Sequence, residues 1–162
     1  MVVETQGGGR RGVGYTYADT ATAALIHGVL APHIRGVDCM DVPGAWWAMV
    51  RAVRNLGRPG IASMAIAAVD TALWDLKAQI LQLPLAALLG RVRPRVPVYG
   101  SGGFTSYSID RLRSQLGEWA SSGIRAVKMK IGRRPTDDPE RVAAARQAIG
   151  PGVELFVDAN GA

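Results

Sequence analysis

Two lysines separated by one residue are the first feature of this sequence whose residue types and spacing could do chemistry. Lys128 and Lys130 are two of only three lysines in a chain with 19 basic residues. In a β-strand the two side chains would share one face. Ammonium groups held that close repel each other, and repulsion with partial burial favours loss of a proton from one of them. Such a lysine could act as a general base, and the alternative that the pair alone leaves open is an ordinary solvated strand face.

A carboxylate and an amide follow the next predicted strand. Asp158 comes directly after the apolar residues 155–157, and Asn160 lies two positions further. The carboxylate would suit Mg²⁺, although Asp-Ala-Asn-Gly is also good sequence for an Asx turn. Because neighbouring parallel strands end at the same edge of a sheet, we expect Asp158 near the lysines. There a lysine could remove the weakly acidic proton beside a substrate carboxylate, with a divalent cation stabilising the enediolate.

The elements that must position these side chains change in type near residue 92. Before it, the pattern predicts a β-hairpin followed by helical segments, at residues 2–5, 13–17, 19–30, 43–57, 61–81 and 84–90. After the linker at residues 91–95, predicted strands alternate with helices that open at Ser108 and Asp138; the strands are at residues 96–99, 124–131 and 154–158. This alternation predicts a parallel sheet with right-handed crossovers.

A glycine-rich run near the N-terminus formally fits a dinucleotide-binding pattern. Residues 7–12 read Gly-Gly-Gly-Arg-Arg-Gly, which matches G-x-G-x-x-G. That fingerprint requires a helix to begin within the glycines, but residues 13–17 are strand-forming types. We therefore interpret the run as the turn of the hairpin and reject a nucleotide site.

The composition is that of a globular chain, with 48% apolar and 20% charged residues and a net charge of +6. The arginines that give this charge are scattered, so we expect no nucleic-acid partner. Residues 61–69, the longest apolar stretch, are far fewer than the roughly 20 that span a bilayer, so we expect no membrane partner. A single cysteine, Cys39, and a polar N-terminus favour a cytoplasmic location.

Three segments match one known family in their order and spacing. The most specific is the helix pattern Ala-Ile-Ala-Ala-Val-Asp-Thr-Ala-Leu-Trp-Asp-Leu-Lys-Ala-Gln at residues 65–79, continued by residues 84–90. The others are Val-Lys-Met-Lys-Ile-Gly at 127–132 and Val-Asp-Ala-Asn at 157–160. Together they resemble the mandelate racemase and muconate lactonizing enzyme family of the enolase superfamily. The resemblance implies an α+β capping domain (β-hairpin plus helices) over residues 1–92, followed by the first β/α units of an incomplete TIM-type barrel over residues 93–162.

The resemblance also implies a role for each candidate residue. Lys130 would be the catalytic base, and Lys128 would assist it and bind the substrate carboxylate. Asp158 would be the first of three carboxylate ligands of Mg²⁺, while Asn160 and Ser101 would bind substrate. The implied reaction is abstraction of the α-proton of a small-molecule carboxylate, such as a sugar acid or hydroxy acid, by a dehydratase, racemase or epimerase.

The length of the chain limits this expectation. A complete barrel needs about 200–250 residues, and only residues 93–162 follow the expected boundary. The family's other two metal-binding carboxylates, its opposing acid/base group and the first strand and loop of its capping domain have no counterpart here. We expect a fragment of a larger enzyme that binds Mg²⁺ weakly or not at all by itself and is homo-oligomeric when full length. The alternative is a non-enzymatic fragment or interaction module that needs another chain to complete the barrel.

Overall fold

A computed structural model describes residues 1–161 and divides the chain into two units, Met1–Val92 and Arg93–Ala162. The elements of the first unit are β1 (Val2–Gly7), β2 (Arg10–Tyr15), α1 (Thr20–Leu25), a π-helical turn (Ile26–Leu30), α2 (Ala31–Ile34), α3 (Val42–Ala52), α4 (Ile61–Leu81) and α5 (Leu85–Leu88). Those of the second are β3 (Gly100–Ser101), α6 (Ile109–Ser121), β4 (Ala126–Lys130), α7 (Asp138–Ile149) and β5 (Glu154–Asp158).

The glycine-rich run lies in the β1–β2 hairpin, where no helix begins. The strands are antiparallel, and the pairing of Gly7 with Arg10 leaves a two-residue turn between them. Gly12, the last glycine of the run, lies against α4. A Cβ atom placed on it would be 2.2 Å from the carbonyl oxygen of Ala72 and 2.3 Å from the backbone nitrogen of Leu76. Only a residue without a side chain allows β2 and α4 to approach this closely.

Helix α4 organises the core of the first unit. Its buried face includes Ala65 and Val69, which join Leu30 and Met49 in one apolar cluster. The polar residues of the same helix hold neighbouring backbone. Asp75 Oδ2 accepts the Val13 N–H at 2.8 Å, and Lys77 donates from Nζ to a backbone carbonyl, that of Met40, at 2.8 Å. The polar positions of the 65–79 pattern therefore include residues with a direct structural role.

The helical segment predicted at residues 19–30 continues to Ile34, so its predicted end is wrong. The π-helical turn Ile26–Leu30 comes directly before α2, in which Pro32 occupies the first turn. The N–H of Ala31 bonds to the carbonyl of Ile26, five residues back. A proline inside a regular α-helix clashes with the preceding turn, but here the hydrogen-bond ladder has already been shifted before the proline.

The second unit is a parallel sheet with the strand order β3-β4-β5, covered on one face by α6 and α7. Val127 and Met129 of β4 are fully buried, together with Leu112 and Leu116 of α6. The Ser108 side chain accepts the N–H of Arg111 and caps α6. The predicted capping domain and the predicted opening of a β/α barrel are confirmed.

The strand predicted at residues 96–99 is wrong, because pairing with β4 begins only at Gly100. Pro97 lacks an N–H for the ladder, and Val96 and Val98 are exposed. The middle strand is also shorter than the predicted 124–131, since it covers Ala126–Lys130. Among the described residues, no helix is both long and apolar enough to cross a membrane.

Candidate active site

The register of the parallel sheet places the candidate residues on one face. Ser101 pairs with Lys128 across β3 and β4, and Lys130 pairs with Asp158 across β4 and β5. Residues paired in register point to the same side of a sheet, and so do residues two apart in a strand. The buried residues Val127 and Met129 alternate with the lysines and face the helices. The lysines therefore occupy the face that α6 and α7 do not cover.

One carboxylate connects both lysines. Asp158 Oδ2 accepts hydrogen bonds from Lys128 Nζ at 3.0 Å and from Lys130 Nζ at 2.8 Å. Lys130 Nζ also donates to the side-chain oxygen of Asn160. The two ammonium groups thus share a counter-charge, so the repulsion expected from the sequence is offset by Asp158.

Asp158 is held as a carboxylate by these neighbours. The hydrogen bond from Lys130, the backbone N–H of Asn160 and the hydrogen bond from Lys128 together hold the pKa of Asp158 far below its ordinary range. The Asp158 side chain is 35% exposed, whereas those of Lys128 and Lys130 are only 12% and 17% exposed. At neutral pH the cluster therefore contains a fixed negative charge between two largely covered lysine side chains.

The turn after β5 brings Asn160 into the cluster. The N–H of Asn160 bonds to Asp158 Oδ1 at 2.9 Å, which is the Asx turn that the sequence left open. Asn160 has a φ of 51°, a left-handed conformation that asparagine tolerates better than most residues. Asp158 thus shapes the turn through one oxygen and contacts the lysines through the other.

Ser101 and an aromatic pair complete this face. Ser101 is the exposed last residue of β3. Tyr99 and Phe156 make an edge-to-face contact with ring centroids 5.8 Å apart, and Phe156 pairs in register with Lys128. Neither ring is among the candidate residues predicted from the sequence. The signal for Phe156 was its position two residues before Asp158, which places it on the same strand face.

The described residues do not by themselves form a Mg²⁺ site. Within residues 1–161, no group of three or more His, Cys, Asp or Glu side chains is placed to hold a metal ion. Mg²⁺ requires near-octahedral oxygen coordination, whereas Asp158 Oδ2 already accepts from two ammonium groups. Two lysines and one carboxylate also leave the cluster positively charged, which disfavours a cation.

A separate groove lies in the first unit. It has a volume of about 700 Å³ and runs along β1, with Val3, Ile34 and Leu73 among its lining residues. It contains none of the candidate residues. The groove and the predicted catalytic side chains therefore lie in different units of the chain.

A capping domain of hairpin and helices, followed by parallel strands with lysines and a carboxylate at their carboxyl ends, defines an architecture of the enolase superfamily type. Comparison with family models agrees with this class. Residues 1–90 match the N-terminal domain of mandelate racemase / muconate lactonizing enzyme, and residues 111–162 match the enolase C-terminal domain-like family. The chain belongs to the mandelate racemase / muconate lactonizing enzyme family.

Individual relatives match nearly the whole chain. It is 38% identical over 157 residues to 3,6-anhydro-alpha-L-galactonate cycloisomerase of Streptomyces coelicolor, covering 94% of this chain and 44% of the relative. A mandelate racemase/muconate lactonizing enzyme-like protein from Rubrobacter xylanophilus superimposes with a TM-score of 0.91 and 57% identity, covering 98% of this chain and 44% of that protein. L-talarate dehydratase from a Polaromonas species, crystallised with Mg and L-glucarate, gives a TM-score of 0.77 and 38% identity over 94% of this chain and 42% of that protein. The chain thus spans less than half the length of these relatives.

Proposed function

We propose that this chain supplies the general base and one metal-binding carboxylate of a Mg²⁺-dependent enzyme that abstracts the α-proton of a carboxylate substrate. The supporting observation is the convergence of Lys128 and Lys130 on one oxygen of Asp158, at 3.0 and 2.8 Å. Such a cluster at the carboxyl ends of parallel strands is where catalytic groups of a β/α barrel lie.

The two lysines would divide the work between proton transfer and binding. Lys130, which lies at the end of β4 and pairs with Asp158, would remove the proton next to the substrate carboxylate, giving an enediolate. Lys128, one side-chain position deeper in the strand, would attract the substrate carboxylate with its positive charge. Asn160 and Ser101 would contact the substrate from the two neighbouring strand ends.

The metal requires groups that the described residues do not provide. In the complete enzyme Asp158 would be one ligand, and the other carboxylates would come from outside residues 1–161. When bound, Mg²⁺ would supply positive charge to the developing enediolate. We expect this 162-residue chain alone to bind Mg²⁺ weakly or not at all.

Relatives of this chain indicate the class of substrate. They include a cycloisomerase named for 3,6-anhydro-alpha-L-galactonate, a dehydratase named for L-talarate and galactarate and a dehydratase crystallised with L-glucarate. We therefore propose a sugar acid as the substrate, with dehydration, racemisation or epimerisation following the common proton abstraction. We also propose a cytoplasmic, homo-oligomeric enzyme in its complete form.

The test is α-proton exchange by the complete protein. With galactarate and Mg²⁺ in D₂O, NMR should show exchange at the carbon beside a carboxylate, and Lys130→Ala should abolish it. Lys77→Ala is the matched control, because Lys77 is the third lysine of the chain and lies in α4 of the first unit. Retained exchange in Lys130→Ala would show that the base lies elsewhere.

The alternative is a non-enzymatic fragment or interaction module that needs another chain to complete the barrel. Both interpretations predict no turnover by the 162-residue chain alone, so Mg²⁺-dependent turnover of any hydroxy acid by the purified chain would refute both, and assembly with a second chain is needed to separate them. Ultracentrifugation with and without the remaining barrel sequence as a separate chain should show whether the two assemble. Assembly without exchange activity would favour the module over the enzyme.

A further inference from the structure

A buried arginine connects α7 to the loop that follows β3. Arg141 is only 5% exposed, yet in the described residues it has no carboxylate within the 4.0 Å of an ion pair. Its two Nη atoms donate to backbone carbonyls, to Tyr107 at 2.9 Å and to Phe104 at 3.0 Å. Burying a charge without an opposite charge is costly. The burial of Arg141 must therefore be offset by what its guanidinium group holds in place.

The loop held by Arg141 is hydrogen-bonded to β4 at both lysines. The N–H of Gly102 donates to the carbonyl of Lys128 at 3.1 Å, and the N–H of Lys130 donates to the carbonyl of Gly103 at 2.9 Å. The carbonyl that Arg141 binds on Phe104 is the next one along the chain. The guanidinium therefore fixes the loop one peptide away from the hydrogen bond that secures the backbone of Lys130.

Close packing leaves this loop little freedom to compensate. Gly103 has a φ of 57°, and a Cβ placed on it would be 2.6 Å from the Cβ of Met129, the residue between the two lysines. Its N–H donates to Gln115 Oε1 of α6 at 2.9 Å. The loop thus lies directly over the end of β4, and a shift at Phe104 would be transmitted to Lys130.

Lysine could not replace this arginine equivalently. The two carbonyls belong to residues three positions apart, and each accepts from a different Nη atom of one planar group. A single ammonium nitrogen does not reproduce this fork. We propose that Arg141 is a positioning residue, which fixes the β3–α6 loop and through it the backbone of Lys130. The catalytic consequence rests on the proposed function, whereas the structural link does not.

Amide hydrogen exchange on the 162-residue chain tests the link without any activity. In Arg141→Gln, exchange at the N–H groups of Lys130 and Gly103 should rise at least tenfold relative to that of Leu116 in α6. Arg146→Gln is the matched control, because Arg146 lies on the same helix and also donates to two carbonyls, those of Gly150 and Val153. Its loss should leave the Lys130-to-Leu116 ratio within about twofold, since local opening is confined to the segment that loses its contacts.

The other results of the amide-exchange experiment also test the role of Arg141. An unchanged ratio in Arg141→Gln, or an equal rise in Arg146→Gln, would overturn the proposal. If Arg141→Gln does not fold, Arg141→Lys retains the charge but only one attachment point, and the ratio should still rise severalfold. Failure of both variants to fold, with Arg146→Gln folded, would assign Arg141 to stability alone.

Activity of the complete protein separates this inference from the proposed function. Arg141→Gln should lower kcat for α-proton exchange about tenfold or more while KM changes less than about threefold, because a misplaced base slows the chemical step. An unchanged kcat alongside faster amide exchange would overturn the catalytic part. Absence of α-proton exchange of the substrate with the wild-type protein would refute the proposed function. The amide hydrogen-exchange result on Arg141 would still hold.

Discussion

Gly12→Ala tests the packing that organises the first unit. The added methyl group would lie 2.2 Å from the Ala72 carbonyl oxygen, 2.3 Å from the Leu76 nitrogen and 2.7 Å from the Leu76 Cα. Ordinary contact for a Cβ begins at 3.4 Å, so β2 and α4 would have to separate by roughly 1 Å. The obstructing atoms are backbone, which cannot rotate away. Overpacking costs about 1–3 kcal/mol, and we expect a loss of about 3 kcal/mol here.

Thermal unfolding of the first unit measures this loss. Trp46, Trp47 and Trp74 lie in that unit and report on it by fluorescence. For a domain of this size, 1 kcal/mol shifts Tm by about 4–8 °C, so Gly12→Ala should lower Tm by about 12–24 °C. The assay needs no substrate and no metal.

Gly28→Ala is the matched control with the opposite expected sign. The change is chemically identical, but a Cβ at Gly28 would meet nothing within 4 Å, and the residue lies in a helical segment. Replacing an exposed helical glycine by alanine stabilises by about 0.5–1 kcal/mol. Equal Tm values for Gly12→Ala and wild type would refute the close approach of β2 and α4. A loss in Gly28→Ala as large as that in Gly12→Ala would refute the assignment of the effect to the contact.

Two further predictions concern single carboxylates. Asp75→Ala leaves the Val13 N–H without its acceptor and should destabilise the first unit by about 1–2 kcal/mol in thermal unfolding, whereas Asp75→Asn, which retains an acceptor, should cost less. In the second unit, the folded-state pKa of Asp158 is depressed below 3.8, so its contribution to stability is fully present above that pH and is lost as the pH falls towards the folded value. Acid unfolding followed by the NMR amide signals of β4 and β5 should show this loss, and an unchanged acid dependence in Asp158→Asn would contradict it.

The proximity of Lys128, Lys130 and Asp158 was predictable from the sequence because the signals for it are local. The spacing of Lys128 and Lys130 fixes a shared strand face, and the apolar residues before Asp158 locate a strand end. The parallel register then brings the two ends together, as the contacts of Asp158 with both lysines show. The hairpin and the long helix α4 were predictable for the same reason, since turn glycines and helical periodicity are read within a few residues.

Features that depend on distant contacts were not predictable. Arg141 was counted among scattered arginines, and only the carbonyls of the β3–α6 loop, more than 30 positions earlier in the sequence, explain its burial. The strand expected at residues 96–99 is the opposite case, because the local pattern predicts an element that the structure does not form there. Its residue types favour a strand, but Pro97 cannot donate to β4, and the ladder starts at Gly100 instead. A local pattern determines the propensity of a segment for a helix or strand, whereas its strand pairing and its burial depend on the distant segments that it contacts.

Asp158 holds both lysines in place by hydrogen bonds that do not involve a metal ion. One carboxylate neutralises one of two ammonium groups, and the excess positive charge lies at an edge where Ser101 is exposed. Such a cluster attracts an anion such as a substrate carboxylate more readily than a divalent cation. A cation would have to compete with two lysines for Asp158 Oδ2, which becomes favourable only when further carboxylates contribute to its binding. The described residues therefore include the proposed base and two lysines that could bind an anion, and we expect metal affinity to require further carboxylates.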